Sequence, residues 1–218
     1  MPSRKNNGFS LLELMITVSL GLVMCGVTFI YLTPSMNSAH MNSAYETTLM
    51  ALRNTRNLAI TQGHQYQVNF NPAGFPAGTI QVVYQPPLVP PAVAAPPPEQ
   101  VNTYTIPGDV SFALPASPPA NAPDSPPPLV TGGTAIDFES TSTPGVPLLC
   151  QCVVFMPDGS AQAGVVGSSG SYVSGIVYLT RVGDTIYNSR AVSVWGATGR
   201  IRGWTIGLVG GVKEWVQQ

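Results

Sequence analysis

The sequence predicts an α+β fold, in which a long N-terminal helix packs on a mostly antiparallel β-domain. Three observations predict it. Residues 9–33 form an apolar run in which Glu13 is the only charge. The run passes into an amphipathic stretch that ends near Thr61. Beyond it, short segments of alternating apolar and polar residues are separated by turns rich in Gly and Pro, the pattern of half-buried strands.

The apolar run follows a short cationic leader containing Arg4 and Lys5. At ~1.5 Å per residue it makes a helix of about 37 Å, enough to span the ~30 Å hydrocarbon core of a bilayer. A carboxylate there costs roughly 2 to 4 kcal/mol of insertion, so Glu13 implies a partner. A secretory signal peptide has a shorter apolar core and a small-x-small cleavage site, whereas this core is too long and begins after Gly8. A plain signal anchor accounts for the length but not for Glu13.

Pro34 is expected to interrupt this helix, removing one backbone hydrogen bond and allowing a kink. Past it, Tyr45, Leu49, Leu52 and Ala59 recur at helical spacing and should pack onto a sheet. Arg56 falls inside that stripe and is expected to snorkel rather than to find a carboxylate. Gly63 is a good helix stop.

Two alternating segments come next, carrying Tyr66, Val68 and Phe70, then Ile80, Val82 and Tyr84. The turn-rich residues 71–78 between them make the pair a β-hairpin. Residues 86–128 hold 15 of the 22 prolines and no Lys or Arg. Proline cannot donate to a sheet ladder, so this stretch reads as an extended surface insertion with one short strand at 101–106. Further strands are expected at 135–138, 152–156, 175–181, 190–195 and 200–204. The sequence Pro157-Asp158-Gly159-Ser160 is a turn, with Pro setting φ and Asp bonding its own backbone.

Of the 218 residues only 9% are charged, against about 25% in ordinary soluble domains. Without Arg4 and Lys5 the chain carries 7 basic and 10 acidic side chains. That balance excludes a global electrostatic match to nucleic acid and leaves only a local patch. Cys150 and Cys152 would point the same way on a strand, about 6.5–7 Å apart, at or past the usual disulfide limit. Two thiols also fall short of a four-ligand zinc site. They are expected to be small buried apolar residues, and Cys25 lies in the apolar run.

No catalytic arrangement stands out. His40 and His64 read as surface residues, and Asp137 and Glu139 as exposed polar positions of a strand. No enzyme activity, metal or cofactor is expected.

The string Gly8-Phe9-Ser10-Leu11-Leu12-Glu13 resembles the class III signal of type IV pilins and pseudopilins. The resemblance implies that a prepilin peptidase cuts between Gly8 and Phe9 and methylates the new Phe9 amine. It also implies that Glu13 pairs with the N-terminal amine of a neighbouring subunit in a filament. Domain bounds follow: leader 1–8, transmembrane helix 9–33, amphipathic continuation 34–62, β-domain 63–218 with the insertion at 86–128. The chain would then be a single-pass inner-membrane protein with an exported, periplasmic C-terminal domain, extracted into a pilus or pseudopilus. Its partners would be other pilins or pseudopilins, the peptidase and an inner-membrane assembly platform.

A second set of residues is similar to the GspH/FimT family of minor pilins and pseudopilins. It comprises Arg53-x-x-Arg56-x-x-Ala59-Ile60, Phe155-Met156-Pro157-Asp158-Gly159-Ser160-Ala161, and Arg190-Ala191-Val192-Ser193 leading to Gly199-Arg200. The family spans type II secretion and type IV pili, and the resemblance does not choose between them. The long insertion departs from its pattern. In the FimT-like branch a Gly-Arg-x-Arg element is associated with DNA capture, and here Gly199-Arg200-Ile201-Arg202 matches it. Arg200, Arg202 and Trp204 alternate, so on a strand they share one face, two guanidiniums beside a stacking indole. Paired arginines on an edge strand are equally ordinary solvated groups.

Overall fold

The computed structural model describes residues 10–86, 99–119, 121, 123–124, 134–138, 151–163 and 172–218. Gly8, Phe9, Glu139, Cys150 and part of the insertion lie outside them. The chain divides into two compact units, Met1–Ala39 and His40–Gln218.

Helix α1 runs from Leu11 to Gln62, through Pro34 rather than stopping there. A proline inside a helix removes one backbone donor, and the helical run before and after it is long enough to persist. Within the first unit, Leu11–Thr28 has a mean hydropathy of 2.0 and is long and apolar enough to cross a membrane. Leu11, Leu12, Met15, Leu22 and Val23 are exposed. The hydroxyls of Thr17, Ser19 and Thr28 donate to the carbonyls of Leu14, Ile16 and Met24, each at 2.9 Å. The helix thereby satisfies its own hydroxyl donors, the condition for placing them in hydrocarbon.

In the second unit the helix buries Met41, Tyr45, Leu49, Leu52 and Ala59, successive contacts three, four or seven residues apart. Thr48 and Thr55 sit in the same stripe. Both are buried and donate to the carbonyls of Ala44 and Ala51 at 2.9 and 2.7 Å, which removes the cost of an unpaired hydroxyl. Gly63, at φ 69°, ends the helix, and its N–H donates to the carbonyl of Ala59 at 3.0 Å.

Two sheets follow among the described residues. The strands in chain order are β1 (Gln65–Phe70), β2 (Thr79–Gln85), β3 (Glu99–Thr105), β4 (Val110–Phe112), β5 (Ile136–Phe138) and β6 (Cys152–Phe155). After them come β7 (Ala161–Ala163), β8 (Gly175–Arg181), β9 (Arg190–Trp195), β10 (Arg200–Val209) and β11 (Val212–Gln217). The first sheet has the order β3-β2-β1-β6-β7 and the second β11-β10-β9-β8-β4, with β5 also on β8. All pairings are antiparallel, and β1–β2 is the expected hairpin, pairing Tyr66 with Tyr84 and Val68 with Val82.

The main core joins the helix stripe to Tyr66, Val68, Ile80, Val82 and Phe155 of the first sheet and to Val177, Leu179, Val192 and Val194 of the second. Their alternate neighbours in the second sheet point the other way. Ile176, Tyr178, Ala191, Trp204, Ile206 and Trp215 form a separate buried cluster, with Leu114 and Ile186 packed against it. The second sheet is therefore buried on both faces. Burial, helped by nearby Asp137, pushes the Tyr178 hydroxyl up to about 12. Where α1 crosses β10, the Tyr45 hydroxyl fills the space a side chain would need at position 203, so Gly203 lets helix and sheet close together.

Four expectations are corrected. The insertion is more than an extended surface segment: besides the expected strand, seen as the exposed edge strand β3, it supplies a second edge strand, β4, and the buried Asp124, 4% exposed. Composition hid these because prolines flank the short strands rather than interrupt them. Cys152 is disulfide-bonded, while Cys25 is free. The separation estimated for positions 150 and 152 assumed both on one strand, but β6 begins at Cys152. Asp137 is buried rather than exposed, because both faces of the second sheet are covered. Arg56 does not snorkel, as its contacts below show.

Candidate functional site

Glu13 lies in the first turn of α1. Leu12, Leu14 and Ile16 beside it are apolar, and the Thr17 hydroxyl is already bonded to the Leu14 carbonyl. Among the described residues Glu13 makes no hydrogen bond or ion pair. A carboxylate near a helix N-terminus is favoured by the helix dipole by about 0.3–1 kcal/mol, which does not offset the cost of placing it in hydrocarbon.

Arg56 occupies the opposite situation. It projects from α1 between two turns: its Nε donates to the carbonyl of Gly159 and its Nη2 to that of Thr198, each at 3.0 Å. The first turn forms as its residues dictate. Asp158 Oδ1 accepts from the Ser160 N–H at 2.9 Å and the Ser160 hydroxyl at 2.6 Å, and these bonds hold the Asp158 carboxyl below its usual range. In the second turn Gly199 has φ 58°, and any Cβ there would overlap the Gly159 carbonyl. Arg56, residues 157–160 and Gly199, drawn from all three stretches of the second resemblance, thus meet as one structural knot. Spacing did not reveal it, because the guanidinium is satisfied by carbonyls more than a hundred positions away.

Arg200, Arg202 and Trp204 share one face of β10, as alternation requires. Their environments differ. Trp204 is buried, and its Nε1–H donates to the Ser193 hydroxyl at 2.9 Å, so its ring packs in the second cluster. Arg200 Nη2 and Arg202 Nη1 both donate to Oδ1 of Asp124, at 3.3 and 3.1 Å. Asp124 Oδ2 accepts from the Ser193 hydroxyl at 3.0 Å. The guanidinium of Arg200 also lies over the Trp195 ring, 5.4 Å from its centre. The arginine side chains remain 44% and 32% exposed while Asp124 is nearly inaccessible.

Asp124 and Ser193 are the residues that sequence reasoning missed. The available signal was charge: the insertion carries Glu99, Asp109 and Asp124 with no Lys or Arg, while β10 carries two arginines without a local carboxylate. Asp109 shows the same pattern. Its Oδ2 accepts from Arg181 Nε at 2.8 Å and lies 2.9 Å from His40 Nδ1. His64 is exposed and sets its ring edge-on to Tyr84. Among the described residues no group of three His, Cys, Asp or Glu side chains is placed to hold a metal.

One family model matches the chain, the prokaryotic N-terminal methylation motif, over residues 3–29. That stretch contains Gly8, Phe9 and Glu13, and it marks the N-terminus as type IV pilin-like. Neither the comparison with curated proteins nor that with solved structures finds a match.

Proposed function

We propose that the chain is a minor pilin or pseudopilin of the GspH/FimT type, cut between Gly8 and Phe9, methylated on Phe9 and assembled through α1. The observation that carries this reading is the coincidence of the methylation motif with a membrane-length apolar helix whose one carboxylate has no partner among the described residues. The partner of Glu13 in this reading is the amine of a neighbouring subunit, since buried opposite charges are each costly alone and tolerable together. The remaining partners are the prepilin peptidase and an inner-membrane assembly platform, in either a type II secretion apparatus or a type IV pilus. The role is structural rather than catalytic. Mass spectrometry of the chain co-expressed with a prepilin peptidase tests the processing. A first residue of N-methylated Phe9 is expected, and a chain that still begins at Met1 contradicts it.

A second reading, contact with DNA at a filament tip, is favoured by the two half-exposed guanidiniums on one face of β10. Arg200 and Arg202 would fork onto phosphates without sequence preference, and buried Trp204 would support the strand rather than stack on bases. A mobility shift by the wild type that survives R200Q/R202Q would remove this reading.

A further inference from the structure

We propose that Arg200 and Arg202 form a phosphate-type oxyanion site that the chain masks with its own Asp124. The inference rests on the second reading above for the class of ligand, and on the geometry for the masking.

An anion already occupies the site. One oxygen of the Asp124 carboxylate sits between the two guanidiniums, at 3.3 and 3.1 Å, and the other is fixed by the Ser193 hydroxyl. Ser193 is in turn fixed by the Trp204 indole. Asp124 lies at φ 61°, in the left-handed region that aspartate enters more readily than most residues. The carboxylate takes one donor from each guanidinium, and each guanidinium has five. Both arginine side chains remain partly open to solvent.

The donors exceed what one carboxylate accepts and suit a group with three or more oxygens. With Asp124 in place the cluster has a net charge of one. Without its charge two guanidiniums stand together, and both attraction for an external anion and its salt dependence rise. Free polyphosphate and a nucleic-acid backbone both offer that chemistry.

Asp124→Asn separates masking from shape, since the amide keeps a carbonyl for the arginines and removes the charge. The full chain in detergent micelles would be titrated against fluorescein-labelled oligo-dT at about 50 mM salt, with tripolyphosphate as a competing small probe. D124N should bind the oligonucleotide at least about tenfold more tightly than wild type. The gain should vanish in D124N/R200Q/R202Q and be under about twofold in Glu99→Gln, which removes an equal charge from the exposed edge strand β3. A cooperative unfolding transition in D124N, even at a lowered temperature, would show that the fold is kept. If D124N has melted, Asp124→Ser, which removes the charge and keeps a hydroxyl acceptor, replaces it and should also tighten binding. Competition by tripolyphosphate at micromolar concentration would identify free polyphosphate as a sufficient ligand, and its failure to compete would identify the polymer backbone. Equal binding by wild type and D124N, lost in R200Q/R202Q, would overturn the masking while leaving the DNA reading intact. No binding by any variant would overturn both.

Discussion

Glu13 and Asp124 are carboxylates in regions that solve the same problem in opposite ways. Asp124 reaches across from the insertion and meets two guanidiniums and a hydroxyl of its own chain. Glu13 lies on a helix whose hydroxyls are satisfied locally and has no such group among the described residues. A buried charge compensated within the chain contributes to the fold, and its loss registers in stability. On the function proposed above, a charge without internal compensation in an apolar segment pairs with another molecule, and its loss should register in assembly. The contrast separates what holds the second unit together from what the first unit is for.

Removing the Asp124 carboxylate should have the largest effect on the fold. Asp124→Ala leaves Ser193 and two guanidiniums without their acceptor. Discounting for the partial exposure of both arginines, we expect a loss of about 3 kcal/mol, or roughly 6–12 °C in unfolding temperature by calorimetry. A loss no larger than that of an exposed Glu99→Ala would place Asp124 with ordinary surface charges and break the comparison.

Arg56 sharpens it from the other side, as a cation that among the described residues is compensated by carbonyls. Arg56→Met keeps the packing of the stem and deletes both bonds to Gly159 and Thr198, at an expected cost of about 1.5 kcal/mol. Hydrogen exchange should rise first in the turns at 157–160 and 196–199, and uniform exchange across the unit would contradict the knot described above.

The smallest effect concerns Asp109, whose carboxyl is held below the usual aspartate range by its bond to His40 and then by Arg181. A depressed value means that its contribution is complete above the ordinary pKa of about 4 and disappears as pH falls through the lower folded value. Asp109→Asn should therefore cost no more than about 1 kcal/mol near neutrality. The gap between variant and wild-type unfolding temperatures should close below about pH 4. A gap that widens in acid would reverse the sign assigned to this pair.

Local elements were legible where a single period or turn decides them. The stripe Tyr45, Leu49, Leu52, Ala59, the hairpin pairing Val68 with Val82, and the turn at Asp158 all follow from spacing and turn chemistry. Alternation also placed Arg200, Arg202 and Trp204 on one face. It did not show that the face is covered at Trp204 and only partly at the arginines, because that burial depends on segments distant in sequence, Leu114 and Asp124 among them. Strands β4, β7 and β11 were missed for related reasons. The first two are three residues long, and in β11 only Trp215 is buried, so no alternation announces it. Arg56 shows the same limit in one residue, since its position on the helix is periodic and its partners are not.

The central claim is that the charge of Glu13 is compensated by another subunit. It is tested most directly by expressing Glu13→Ala in the native host and quantifying the protein in sheared filaments or in the isolated minor-subunit complex. The account predicts an unfolding temperature for the second unit equal to that of the wild type, with incorporation reduced at least about tenfold. Normal incorporation of the variant would contradict it.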